Sequence, residues 1–97
     1  MHFIVFASYN EELMQGRPRD AFANYARDRD RHPGVILLHG GTTLADDGET
    51  VNGMLMVVEA TSLDAARAFV ADSPFGQSGL LQDLTVRPWD WMTGRPG

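Results

Sequence analysis

Thr61-Ser62-Leu63-Asp64 opens one segment of the chain and Ala71-Asp72-Ser73-Pro74-Phe75-Gly76 closes it. A hydroxyl at the start can cap free backbone N–H groups, and Asp64 suits the positive end of a helix dipole. Leu63, Ala66, Phe69 and Val70 then recur at helical spacing, with Asp64 and Arg67 off the stripe, so the spacing predicts an amphipathic helix. Pro74 favours extended backbone in the residue before it, which sets Ser73 just outside the helix and Asp72 at its last turn. Polar groups beside a large aromatic at a helix end make this corner the first candidate for a site.

Working outward, Gly53 to Ala60 before this helix and Leu80 to Val86 after it are apolar runs of strand length. Gly76 to Gly79 reads as a small flexible connection, and Pro88, Trp89, Asp90 and Trp91 as an edge or tail. The N-terminal half repeats the scheme. His2 to Tyr9 is rich in aromatic and β-branched residues and fits a strand with two largely apolar faces. A helix is expected from about Pro18 to Arg31, with Phe22, Tyr25 and Ala26 inward and His32-Pro33-Gly34 as its stop. Val35 to His39 fits a second strand ended by Gly40-Gly41, and the polar stretch Thr42 to Asn52 a loop or ragged hairpin.

The element order is therefore β-α-β-β-α-β, an α+β, ferredoxin-like antiparallel sheet with two helices on one face. Ninety-seven residues suit one domain, 1–97. Two helices cover one sheet face, while the strands are apolar on both. A second copy is the simplest cover, so a homodimer with its sheets face to face is expected.

Composition narrows function. A net charge of -5 argues against a nucleic-acid partner, whose phosphates need a basic stripe. Arg27, Arg29 and Arg31 alternate with Asp28 and Asp30, as on a solvated helix face. The chain has no cysteine and no lysine, which removes thiolate, zinc-thiolate and lysine Schiff-base chemistry. Met1-His2 passes straight into Phe3-Ile4-Val5-Phe6 without a leader pattern, and no run is long enough to span a membrane, so a cytoplasmic protein is expected.

In order and spacing, these segments resemble the YCII-related (YciI-like) family of small dimeric α+β barrel proteins. The resemblance lies in the aromatic first strand, Arg17-Pro18, Gly34-Val35-Ile36-Leu37-Leu38-His39-Gly40-Gly41 and Ser62-Leu63-Asp64-Ala65-Ala66. It continues through Phe69-Val70-Ala71-Asp72-Ser73-Pro74-Phe75 and Val86-Arg87-Pro88-Trp89. It implies a homodimer with a small pocket in each subunit. The family pairs a first-helix histidine with an aspartate directly before the proline, and one class of members dehydrochlorinates a hydroxylated aromatic. Here Asp20 or Phe22 stands near the histidine position, Ser73 precedes Pro74, and the acid is one residue earlier at Asp72. The family's pair is therefore not carried over.

The residues offer a substitute pair. Asp72 is a carboxyl that burial would tune toward neutrality, and His39, at a strand end, titrates in the useful range. Tyr9, Ser73, Arg17 and Phe75 are the candidates for holding a substrate, through hydroxyl, guanidinium or ring contacts. Neither a metal nor another cofactor is expected: the histidines lack a ligand spacing, and Asp46, Asp47 and Glu49 lack the register of a calcium loop. The leading reading is a pocket for a small aromatic or carbonyl-containing metabolite, with cofactor-free elimination or isomerisation as the chemistry if it is an enzyme. The alternatives are a noncatalytic ligand-binding or interaction module on the same dimer and a muconolactone-isomerase-like enzyme.

Overall fold

β1, His2–Tyr9, occupies a central position because it pairs antiparallel with strands on both sides. The structure is a computed structural model that describes residues 1–10, 24, 25, 27 and 32–94. β2 is Val35–Leu44, β3 Val51–Ala60 and β4 Leu81–Pro88, and the sheet order is β2-β3-β1-β4. Every pairing is antiparallel, as expected for the ferredoxin-like arrangement.

Strand alternation divides the sheet into an inner and an outer face. Phe3, Val5, Ala7 and Tyr9 point inward and stand opposite Val58, Met56 and Met54 of β3, and all of them are buried. α1, Leu63–Asp72, lays Ala66, Phe69 and Val70 on this face. Its start is as read from the sequence: Ser62 is the N-cap and its Oγ accepts from the Ala65 N–H at 3.1 Å. Asn24, Tyr25 and Arg27 have helical backbone, and the rest of the expected first helix lies outside the described residues. Tyr25 is buried, and its hydroxyl donates to the Phe69 carbonyl at 2.6 Å, which docks this segment on α1.

Several boundaries differ from expectation, β3 for one starting at Val51 rather than Gly53. β2 does not stop at Gly40-Gly41 but runs through both to Leu44, because a turn closed by Asp47 holds β2 and β3 together as a hairpin. The Asp47 carboxylate accepts from the Glu49 N–H, the Thr50 N–H and the Thr50 hydroxyl at 2.9, 2.9 and 2.6 Å. Those bonds, the hydroxyl's first, hold its pKa down to about 2.

The expected loop at Gly76–Gly79 is largely a second helix, α2, Pro74–Ser78, closed by Gly79 in the left-handed conformation. Ser73 makes this possible. Its backbone is extended, as a residue before proline should be; it ends α1 and at the same time caps α2, with Pro74 in the first turn. Gly76 has a steric role here, since a Cβ on it would collide with the carbonyls of Val70 and Ala71. Finally, β4 runs two residues further than expected, to Pro88, which pairs with Phe3 on an edge strand where a missing N–H is tolerated. Its register shift beside Ser8 is accompanied by Asp83 at φ 53.

Candidate functional site

The inner face is incompletely filled where α2 meets the hairpin. A cavity of about 540 Å³ opens there, within the range of small-molecule sites. Tyr9 from the end of β1, Met54 and Met56 from β3, and Phe75 from α2 form one wall. β2 supplies the other as Leu37 to Thr42, and the two glycines leave it bare.

Tyr9 is the polar feature of this wall. It is 4% exposed, its ring meets Phe75 edge to face at 5.6 Å, and its hydroxyl makes no hydrogen bond among the described residues. Because no buried side-chain polar atom lacks a partner among the described residues, this hydroxyl keeps contact with the open cavity. Burial also raises its pKa above 10.0, so the group is a proton-bearing donor at neutral pH. A ligand oxygen in the cavity would meet an available O–H beside apolar rings and thioethers.

The expected Asp72–His39 pair is not formed. β2 bulges between Leu37 and His39, leaving Leu38 unpaired and setting His39 opposite Val57 on the outer face. Its ring packs there on Trp91, centroids 5.5 Å apart, although the residue still borders the cavity. Asp72 belongs to α1 on the inner side, is exposed, and bonds His32 Nε2 at 3.0 Å. The His32 ring in turn stands edge-on to Phe69 at 5.8 Å. A bulge is invisible to simple alternation, so the change of face could not be read from the residue pattern. His32, beside Pro33 at the expected end of a helix, is the partner that sequence reasoning missed.

Ser73 is not a wall residue either. It is fully buried, its Oγ donates to the Val70 carbonyl and accepts from the Gly76 N–H, and it thereby fixes the corner that carries Phe75. Phe75 does line the cavity, as Tyr9 does. Arg17 lies outside the described residues. Met54, Met56 and Gly40 join the wall; inward alternation of β3 was the signal for the methionines. No cluster of three or more histidine, cysteine, aspartate or glutamate side chains suited to a metal occurs among the described residues.

The outer face carries half-exposed Phe6, Leu55 and Ile36. The C-terminal tail folds over part of it: Trp91 stacks on Trp89 and touches His2 and His39. Among the described residues no helix is long and apolar enough to cross a membrane.

A four-stranded antiparallel sheet with helices on one side and an open cavity between them defines a ferredoxin-like α+β protein. The chain belongs to the YCII-related domain family, whose profile matches residues 1–90. Among solved structures it is similar to 5-chloro-2-hydroxyhydroquinone dehydrochlorinase (TftG) from Burkholderia phenoliruptrix AC1100 in complex with 2,5-dihydroxybenzoquinone. That likeness has 26% identity and a TM-score of 0.68 over 93% of this chain and 94% of that one. It is also similar in fold to At3g17210 from Arabidopsis thaliana, at 13% identity and a TM-score of 0.57 over 98% of each chain. No curated protein matches the chain significantly.

Proposed function

We propose that the protein binds a small oxygen-bearing ring compound, a phenol, quinone or aryl ketone, in the cavity between β2 and α2. The observation that carries this reading is the Tyr9 hydroxyl, protonated, carried by a largely buried ring on the cavity wall and without a hydrogen-bond partner among the described residues. The relative that holds a dihydroxybenzoquinone supports the ligand class. Chemistry on such a ligand would be cofactor-independent proton transfer, elimination or isomerisation, with Tyr9 donating a hydrogen bond to the ligand oxygen.

A noncatalytic binding module is the second reading. It is favoured by the engagement of Asp72 with His32 and by the turn of His39 to the other face, which leave no acid–base pair among the described wall residues. In either case we propose a homodimer through the outer face, where Phe6, Leu55 and Ile36 need cover.

The test is calorimetric titration with 2,5-dihydroxybenzoquinone, hydroquinone and 4-hydroxyacetophenone, followed by product analysis by chromatography. Saturable binding with turnover supports the enzyme, and saturable binding without turnover the binding module. No binding by any of the three removes both.

A further inference from the structure

Gly40 stands in the middle of an edge strand, where a glycine weakens the structure relative to alanine unless something requires it. Backbone conformation does not require it, because among the described residues the glycines with positive φ are Gly48, Gly79 and Gly94. Nor does close packing. A Cβ built on Gly40 would lie 3.6 Å from Leu37 Cδ1 and from Met56 Cγ, an ordinary contact distance. Gly76 is the opposite case, a glycine that the fold cannot replace.

What the missing side chain does create is space on the inner face. Gly40 pairs with Met56 and lines the cavity with Tyr9 and Phe75. The bulge at Leu38 brings it there, since it sends His39 outward and so turns the next residue inward. Gly41 faces outward opposite Leu55, with nothing within 4 Å of the Cβ position.

We propose that Gly40 determines which ligands the cavity admits: its bare backbone is the surface against which a planar ring lies, and a side chain there would take space from the larger rings first. This rests on the ligand reading above and adds a size limit to it. A strand glycine that neither its dihedral angles nor its neighbours demand fits a point where a ligand approaches the main chain.

The experiment is a calorimetric titration of phenol, 4-hydroxyacetophenone and 2-naphthol into the full chain and its Gly40→Ala, Gly40→Val and Arg67→Ala variants, with thermal melts of each. Pocket selectivity per methylene runs to about 10–200-fold. Gly40→Ala is therefore expected to weaken 2-naphthol by about tenfold while sparing phenol, and Gly40→Val to weaken both larger rings by more than that. Arg67→Ala, an exposed position on α1 away from the cavity, should bind all three as the unaltered protein does, and the Gly40→Ala melt should not fall.

If the unaltered protein binds the rings but the Gly40 variants bind them equally well, or lose all three by one factor regardless of size, the inference is overturned while the ligand reading stands. If the unaltered protein binds none, the ligand reading itself fails and this inference with it.

Discussion

The Asp72 carboxylate lies 3.0 Å from His32 Nε2, joining the last turn of α1 to the residue three positions before β2. Asp72 is half-exposed, and exposed pairs of this kind contribute about 0–1 kcal/mol. Asp72→Asn and His32→Gln should each lower stability by no more than that in urea titrations. Ring-compound affinity should be unchanged, because neither residue lines the cavity. A tenfold loss of affinity in Asp72→Asn would return the carboxylate to the binding site.

Ser73 should behave differently. Its hydroxyl is buried and spans the junction of α1 and α2. Ser73→Ala removes a cap and leaves the Gly76 N–H without its acceptor, at a cost of about 1–2 kcal/mol. For a domain of this size that is a fall of roughly 5–15 °C in Tm. Affinity should fall with it, since Phe75 is carried by the same corner.

The hairpin turn makes a pH prediction. The folded Asp47 carboxyl titrates at about 2, below its ordinary 3.8. A depressed carboxyl contributes stability that is present above pH 3.8 and lost as pH falls through about 2. Asp47→Asn should therefore be less stable than the unaltered chain at pH 6, and the difference should narrow on acidification between those values. Parallel thermal melts across that window check it.

The outer face predicts self-association. Light scattering of the unaltered chain should give twice its 10.7 kDa mass at micromolar concentration, and Phe6→Glu should give the monomer mass. A monomer before substitution removes the dimer.

Much of the architecture could be read from the chain. Ser62, the Leu63 to Val70 stripe and Pro74 marked α1 because capping and periodicity are local effects, and the inner residues of β1 follow from simple alternation. The Ser73-Pro74 pair also signals a helix start, yet the glycines at 76 and 79 argue for a loop; the cap prevailed because Gly76 packs against the end of α1 and Gly79 closes the turn. The site was less legible. Tyr9 and Phe75 come together across the fold. The face of His39 depends on one unpaired residue, Leu38, which no local pattern marks. The partner of Asp72 is a histidine forty positions away.

The Tyr9 hydroxyl, open to the cavity, is proposed to be held for a ligand oxygen. Calorimetric comparison of 4-hydroxyacetophenone with 4-ethylphenol, which lacks the carbonyl, tests it in the unaltered protein and in Tyr9→Phe. A neutral hydrogen bond contributes about 1 kcal/mol, so the ketone should bind roughly five- to tenfold more tightly than 4-ethylphenol. In Tyr9→Phe that preference should vanish with no loss of fold stability, because the hydroxyl has no hydrogen-bond partner among the described residues to lose. Equal affinity for the two ligands in the unaltered protein, or a preference that survives Tyr9→Phe, would contradict the account.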